Sequence, residues 1–173
     1  ALSALRPATH AAWRYEGRMG TVREMLPGDI DAVMRIWLEA NLSAHSFVPE
    51  EYWRSNLEPV REAIASAEVY VADSGGRVLG FIGLDGGYIA GIFVSPESRG
   101  RGVGRQLLER AKARHARLEL QVYAENPRAR RFYEREGFSV LSEGADSGTG
   151  RAELVMAWAR GEGDNDGNRA ERQ

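Results

Sequence analysis

Glycines and arginines alternate at residues 99–105, directly after a short apolar segment. A glycine leaves the backbone bare where an anion must approach closely, and a helix that starts there presents unpaired N–H groups with a partial positive charge. An arginine side chain can grip phosphate oxygens through two hydrogen bonds at once. The pattern therefore predicts a site for a group with at least two negative charges, such as a pyrophosphate. The residues concerned are Arg99, Gly100, Arg101, Gly102, Val103, Gly104 and Arg105.

Two common nucleotide-binding motifs do not fit this spacing. A P-loop requires the pattern GxxxxGK[ST], and the chain contains no Gly-Lys pair. A Rossmann turn requires GxGxxG directly after its strand, whereas five residues separate Val94 from the first glycine. The plain alternative is an arginine- and glycine-rich surface turn ahead of an ordinary helix.

The pattern RxxGxG at residues 99–104, after a strand that ends at Val94, resembles the acetyl-CoA motif of the GNAT superfamily of N-acetyltransferases. Residues 125–138, ENPRARRFYEREGF, resemble the second signature of that superfamily. The resemblance implies acetyl-CoA as co-substrate, with Asn126 on its pantetheine arm and Tyr133 beside its sulfur. The implied cofactor-binding residues are Ile92, Phe93, Val94, Arg99, Gly100, Arg101, Gly102, Val103, Gly104, Arg105, Asn126 and Tyr133.

A third segment concerns the acceptor. Residues 36–56, IWLEANLSAHSFVPEEYWRSN, resemble small bacterial enzymes of the same superfamily. This resemblance places His45, Tyr52 and Trp53 on the side of the acceptor.

Acetyl transfer from a thioester to an amine needs a neutral amine, a polarised carbonyl group and a proton for the departing thiolate. It needs no covalent enzyme intermediate, so the absence of cysteine is compatible with direct attack in a ternary complex. Tyr133 is the candidate proton donor, or else packs beside Phe132. His45, with an ordinary pKa near ~6.5, is the candidate base, or else a structural histidine at a helix end. Because the strand before the glycines carries no acid, the other candidate bases are Glu39, Glu97, Glu119 and Glu125.

These features predict an acetyl-CoA-dependent N-acetyltransferase that modifies a primary amine: a protein lysine, a protein N-terminus or a small amine. A catalytically silent acyl-CoA-binding sensor or interaction module is the alternative from a different class. A basic run, Arg128, Arg130, Arg131 and Arg135, either faces solvent or brings Arg130 or Arg131 to the cofactor's phosphates. The same run leaves a minor alternative, an acetylating toxin that acts on aminoacyl-tRNA.

Length and composition exclude other classes. The 173 residues and the net charge of −2 fit one globular domain without a broad nucleic-acid surface. Without cysteine there is no disulfide framework or thiolate metal site, and the three histidines lack metal-ligand spacing. The longest apolar run, residues 78–84, is broken by two glycines and is too short to span a membrane. We expect a cytoplasmic monomer or homodimer with no metal and no membrane contact.

Hydrophobic periodicity and turn signals predict an α/β fold with a mixed central sheet in the order β-α-α-β-β-β-α-β-α-β-β. This is the order of the GNAT fold, and the resemblance implies a splay between the fourth and fifth strands, which form a parallel pair. The predicted strands are residues 21–25, 68–73, 77–84, 88–94, 118–123, 139–143 and 152–159. The predicted helices are residues 30–41, capped by Asp29, and residues 49–64, 103–116 and 127–136.

The chain is predicted to have three regions. Residues 1–18 are rich in alanine and arginine, show no sustained period, and are predicted to be a disordered extension. Residues 19–160 are predicted to form the single acetyltransferase domain. Residues 161–173 contain almost nothing apolar and are predicted to be a disordered tail.

Overall fold

Helices cover both faces of one mixed sheet in this computed structural model, which describes residues 13–161. The strands are β1 (Trp13–Tyr15), β2 (Arg18–Glu24), β3 (Glu68–Ser74), β4 (Arg77–Asp85), β5 (Tyr88–Val94), β6 (Arg117–Tyr123), β7 (Ser139–Ala145) and β8 (Ala152–Ala159). The helices are α1 (Ile30–Ala44), α2 (Glu50–Ser55), α3 (Leu57–Ser66), α4 (Val103–Arg114) and α5 (Pro127–Arg135). The predicted tail from residue 162 onward, and the predicted extension as far as residue 12, lie outside the described residues.

The eight strands lie in the spatial order β1-β2-β3-β4-β5-β6-β8-β7. All neighbouring strands are antiparallel except β5 and β6, which are parallel and are connected by α4. The α/β fold predicted from the sequence is confirmed, with two differences in its elements. No helix within residues 13–161 is long and apolar enough to cross a membrane.

The first difference is that the sheet begins earlier than predicted. β1 pairs with β2 in antiparallel register, so residues 13–18 belong to the domain and not to the extension. Glu16 and Gly17 connect the two strands with positive φ angles of 48° and 77°, the conformation of a two-residue hairpin turn. Tyr15 is buried, with 4% of its surface exposed, and therefore contributes to the core.

The second difference is that the predicted helix over residues 49–64 is two helices. Pro59 stands in the first turn of α3, where it has no N–H with which to continue a helix from α2. Asn56 fills the break, and its Nδ2 donates a hydrogen bond to the Tyr52 carbonyl oxygen at 2.6 Å. α3 can therefore turn away from α2 and pack Ile64 into the core.

Asp29 precedes α1 as predicted, but its carboxylate does not cap that helix. It accepts a hydrogen bond from the Leu26 N–H at 2.7 Å and pairs with Arg23 at 2.7 Å. Arg23 also pairs with Asp73 on β3 at 2.9 Å. The carboxylate therefore holds the start of α1 against the sheet.

Two hydrophobic clusters lie on opposite faces of the sheet. One face is covered by α1, α2 and α3, and the other by α4 and α5. Adjacent residues of β3 alternate between them: Val69 and Val71 face the first cluster, while Tyr70 and Ala72 face the second. Because both faces are covered, β3 and β4 are buried along most of their length.

Candidate active site

The parallel pair of strands at the centre of the sheet separates soon after it begins. Within residues 13–161, β5 and β6 pair only at Tyr88 with Glu119 and at Ile89 with Leu120. The strands then diverge, which is the splay that the resemblance implied. Two cavities, of about 670 Å³ and about 280 Å³, open at this gap, and we call them the larger and the smaller cavity. They share seven lining residues: Asn41, His45, Ile92, Phe93, Asn126, Ala129 and Tyr133.

The structure brings the predicted site residues together around the larger cavity, with one exception. Those that line it are His45, Ile92, Phe93, Val94, Arg99, Gly100, Gly102, Val103, Gly104, Arg105, Asn126 and Tyr133. The exception is Arg101, whose guanidinium carbon lies 5.0 Å from the centre of the Tyr15 ring. The Arg101 side chain therefore packs on Tyr15 and does not line the larger cavity, and its predicted place in the cofactor site stays a prediction.

Buried serines support the loop that leads from β5 to α4. The Ser95 N–H donates to the Leu79 carbonyl oxygen at 2.9 Å, which ties the loop to β4. The Ser95 hydroxyl donates to Ser98 Oγ at 2.8 Å, and Ser98 donates to the Tyr15 hydroxyl at 3.3 Å. The added strand β1 therefore supports the loop from beneath.

The glycines of this loop leave room at the start of α4. Gly100 and Gly102 have φ angles of +72° and +82°, which favour glycine, and a Cβ on either would meet no atom within 4 Å. At Gly104 a Cβ would lie 3.5 Å from Phe132 Cζ, an ordinary contact. Gly102 has no side chain with which to cap α4. The N–H groups of the first turn are therefore available to an anion in the larger cavity.

Arginine side chains line the same part of the larger cavity. The Arg99 side chain donates to Ser43 Oγ at 2.8 Å, and burial and the nearby Arg128 charge both lower the pKa of Arg99. Among the described residues, no carboxylate pairs with Arg99, Arg105 or Arg128. A bound anion would offset the repulsion between these arginines.

The basic run on α5 is divided between cavity and solvent. Arg128 and Arg135 line the larger cavity. Arg130 pairs instead with Glu134 at 2.8 Å, and Arg131 lines neither cavity. The contacts of Arg130 and Arg131 favour the first interpretation, a solvent-facing run, and Arg128 is better placed for the phosphates.

A chain of side-chain hydrogen bonds crosses the gap where the two cavities meet. Asn41 Nδ2 donates to the Trp37 carbonyl oxygen at 2.9 Å, so its Oδ1 faces His45 Nδ1 at 3.0 Å. Asn126 Oδ1 accepts from the Ala129 N–H at 3.2 Å, so its Nδ2 faces His45 Nε2 at 3.2 Å. The two amides therefore select the neutral tautomer of His45 with its proton on Nδ1.

The surroundings of His45 make it a weak base. Aromatic rings of Phe47, Trp53 and Tyr123 lie 5.1–5.6 Å from the imidazole centre. Burial lowers the pKa of His45 to about 4, so the expected titration near 6.5 is corrected. The Nε2 lone pair, which a base would use, accepts a hydrogen bond from Asn126. The geometry gives His45 a clear part in orienting Asn126.

Tyr133 lies between the two cavities. Its side chain is 7% exposed and packs edge-on against Phe132 and Phe138. Within residues 13–161 no group is hydrogen bonded to its hydroxyl, which lies at cavities that both include Tyr133 in their lining. Burial raises the pKa of Tyr133, so the hydroxyl keeps its proton at neutral pH.

The smaller cavity combines aromatic walls with carboxylates. The Tyr88 hydroxyl donates to Gln121 Oε1 at 2.8 Å, and Gln121 Nε2 donates to Glu153 Oε1 at 3.0 Å. The Tyr123 hydroxyl donates to Asp146 Oδ2 at 3.3 Å. The aromatic side chains that line this cavity are Trp37, Trp53, Tyr88, Phe93, Tyr123 and Tyr133. This lining suits an unbranched chain that ends in a positive charge.

Two of the three residues expected on the acceptor side line the smaller cavity. These are His45 and Trp53. The third, Tyr52, packs against Trp53 with ring centres 5.0 Å apart and lies against Gly148 in the loop between β7 and β8. Tyr52 therefore does not line the smaller cavity but supports Trp53, which does.

Sequence reasoning did not find four of the polar residues of the smaller cavity, namely Asn41, Gln121, Asp146 and Glu153. On β6, Gln121 alternates with the buried Leu120 and Val122, so the period of 2 marked it as facing away from that core. Alternation within one strand does not show that a cavity lies on the face of the sheet that carries Gln121. Glu153 reaches the smaller cavity through the pairing of β8 with β6, and Asp146 through the hairpin of β7 and β8.

Comparison with known proteins agrees with this geometry. A family model for the acetyltransferase (GNAT) domain matches residues 65–140. The peptidyl-lysine N-acetyltransferase YiaC of Escherichia coli is 32% identical over 139 residues, which cover 79% of this chain and 95% of YiaC. The peptidyl-lysine N-acetyltransferase YjaB of the same species is 33% identical over 126 residues, covering 72% of this chain and 80% of YjaB.

Solved structures give the same result. The apo solution structure of Escherichia coli YjaB matches with a TM-score of 0.72 at 28% identity, over 80% of this chain and 96% of that one. The PaiA N-acetyltransferase of Thermoplasma acidophilum, solved with coenzyme A, matches with a TM-score of 0.69 over 82% of this chain and 99% of that one. Its identity is only 18%, so this second likeness shows the fold alone.

The buried His45 predicts a dependence of stability on pH. Its pKa is about 4 when folded and near 6.5 when unfolded, so the unfolded chain binds more protons between these values. Stability should therefore rise with pH across this window, and His45→Gln should flatten part of the rise. Urea unfolding of both proteins from pH 4 to pH 7 measures the effect. All other titrating groups are shared, so parallel curves for the two proteins would contradict the low pKa.

Proposed function

The chain belongs to the GNAT family of acetyltransferases, and on this premise we propose that it acetylates lysine side chains of proteins with acetyl-CoA. The observation that carries the proposal is the meeting of two different cavities at the splay between β5 and β6. The larger cavity offers arginines and a helix N-terminus, while the smaller one offers aromatic rings and carboxylates. YiaC and YjaB, both named peptidyl-lysine N-acetyltransferases, support lysine as the acceptor.

The larger cavity fits coenzyme A. Its volume of about 670 Å³ is in the range of cofactor sites, and the bare backbone at Gly100 and Gly102 leaves space for a pyrophosphate at the start of α4. Arg99, Arg105 and Arg128 would offset the phosphate charge. When bound, acetyl-CoA supplies an acetyl group activated as a thioester.

The gap between the strands fits the linear, amide-rich arm of the cofactor. Past Ile89 and Leu120, the facing edges of β5 and β6 offer N–H and C=O groups that no longer bond to each other. Asn126 stands at this gap, and its Oδ1 and Nδ2 are oriented by Ala129 and His45. We assign His45 to the positioning of Asn126, and Asn126 to the pantetheine arm.

Tyr133 is placed to donate a hydrogen bond to the departing sulfur. It lines both cavities, and burial raises its pKa, which makes its hydroxyl a weaker acid but leaves it a hydrogen-bond donor. The hydroxyl can hydrogen bond to the sulfur as negative charge develops, and this stabilises the transition state. Since both cavities share the residues around Tyr133, the two substrates can be bound together and the amine can attack directly.

The lysine proposal is tested by incubating the protein with acetyl-CoA and a set of lysine peptides, with mass spectrometry of the products. We expect acetylated lysine and one free CoA per acetyl group. Tyr133→Phe should lower kcat by roughly 10²–10⁴-fold and leave CoA affinity unchanged, since it removes one hydroxyl beside the sulfur.

The matched control is Tyr70→Phe, because Tyr70 is also buried but lines neither cavity. It should keep the wild-type kcat. CoA binding without acceptor-dependent release of CoA would contradict the enzymatic proposal and indicate a binding module. Acetylation of peptide N-termini or small amines alone would reject lysine as the acceptor.

The cofactor site is tested by Gly104→Leu. The new side chain would fill space in front of the first turn of α4, so we expect CoA affinity to fall at least ~10-fold, or about 1.4 kcal/mol. Gly144→Leu is the control, since Gly144 is exposed on β7 and a Cβ there meets no atom within 4 Å. Calorimetry with CoA and a melting curve for each variant decide the result. If the Gly104→Leu protein is folded and binds CoA with wild-type affinity, the pyrophosphate does not bind at the start of α4.

A further inference from the structure

We infer that Glu153 takes the proton from the acceptor ammonium and that Gln121 positions Glu153 for this step. The inference rests on the proposed function, since it concerns the amine bound in the smaller cavity. Glu153 lies on β8, directly opposite Tyr123 of β6 in the strand register. It lines the smaller cavity together with His45 and Tyr133, which also line the larger one.

A relay of hydrogen bonds fixes the Glu153 carboxylate. The Tyr88 hydroxyl donates to Gln121 Oε1 at 2.8 Å, so the Gln121 amide must present its Nε2 to Glu153 Oε1, at 3.0 Å. The relay runs from β5 through β6 to β8 and therefore crosses the splay. Within the described residues this is the only hydrogen bond to Glu153, so Oε2 is available to an ammonium group.

The other carboxylate of this cavity, Asp146, is already engaged. Its Oδ2 accepts from the Thr149 N–H at 2.8 Å, from the Thr149 hydroxyl at 2.6 Å and from the Tyr123 hydroxyl at 3.3 Å. These bonds stabilise the ionised form and hold the turn between β7 and β8. The pKa of Asp146 is accordingly lowered, so this carboxylate stays ionised and is a weaker base than Glu153, whose pKa is raised.

The glutamates named from the sequence are less suitable bases. Glu97 pairs with Arg77, Glu119 with Arg117 and Glu125 with Arg151. None of these three, nor Glu39, lines the smaller cavity. Glu153 forms no ion pair with a described residue.

The surroundings of Glu153 and His45 also shift their pKa values in the direction that this role of Glu153 requires. Burial, and then the charge of Asp146, raise the pKa of Glu153, whereas burial lowers that of His45. Both shifts favour Glu153 over His45 as the proton acceptor. The titratable side chains that face it are Tyr88 from β5, Tyr123 from β6, Tyr133 from α5, His45 after α1 and Asp146 after β7.

The proton balance closes with these groups. The ammonium R–NH₃⁺ gives one proton to Glu153 and becomes a neutral amine, which bonds to the thioester carbonyl carbon. As the carbon–sulfur bond breaks, the nitrogen loses a second proton and the sulfur gains one, with the Tyr133 hydroxyl between them. The products are the acetylated amine and the free thiol. Glu153 then returns its proton to solvent.

The test compares Glu153→Gln with the wild type on two acceptors, a lysine peptide and trifluoroethylamine, which is already neutral at the assay pH. With the peptide at pH 7, kcat/KM should fall roughly 10²-fold or more, the usual scale for loss of a general base. The deficit should shrink as the pH approaches ~10.4, where lysine deprotonates in solution. With trifluoroethylamine the deficit should stay below ~3-fold, because no ammonium has to be deprotonated.

Two further variants complete the test. Glu143→Gln is the control, since Glu143 is exposed on β7 and lines neither cavity, and it should behave as wild type. Gln121→Leu should lower the rate with the peptide more than with trifluoroethylamine, and should shift the acidic limb of the pH–rate profile, because Glu153 loses its partner.

The outcomes separate the two proposals. Equal losses for Glu153→Gln on both acceptors would show a structural role and overturn the inference. A wild-type rate with the peptide would also overturn it, while lysine acetylation itself would stand. Wild-type protein that binds CoA but acetylates no lysine peptide would overturn the proposed function, and this inference with it.

Discussion

The pairing of β5 with β6 stops after two residue pairs, in the middle of an eight-stranded sheet. Backbone N–H and C=O groups at such a gap need other partners, and an extended ligand rich in amides can provide them. Both cavities open at this gap, and seven residues belong to both. The proposed joint site for two substrates depends on this interruption.

Side chains from distant parts of the chain hold the gap in shape. His45 connects the end of α1 to the start of α5, through Asn41 on one side and Asn126 on the other. On the phosphate side, Tyr15 of β1 supports the glycine loop through Ser98. His45 lies outside the signature that contains Asn126, and Tyr15 lies outside the glycine loop. Each of them nevertheless fixes the geometry of a predicted cofactor-binding segment. The two supports leave the helix N-terminus free, as anion binding requires.

Local signals predicted the sheet, the glycine loop and most of the residues that the larger cavity brings together, because the residues concerned are adjacent in sequence. Glu16-Gly17 and Pro59 are local signals of a hairpin and of a helix break that the predicted extension and the predicted single helix did not take into account. The polar residues of the smaller cavity were not predictable in the same way. Glu153 and Gln121 come together only through the register of β6 and β8, which depends on the whole sheet.

We propose that the cofactor and the acceptor lysine bind in the two adjoining cavities and meet at the splay. A crystal structure with a bisubstrate analogue, in which the sulfur of coenzyme A is joined through an acetyl group to a peptide lysine, tests it directly. The pyrophosphate should lie on residues 100–104, the sulfur between Asn126 and Tyr133, and the lysine chain in the smaller cavity with its nitrogen toward Glu153. A peptide that leaves through the larger cavity, with the smaller cavity empty, would contradict the claim.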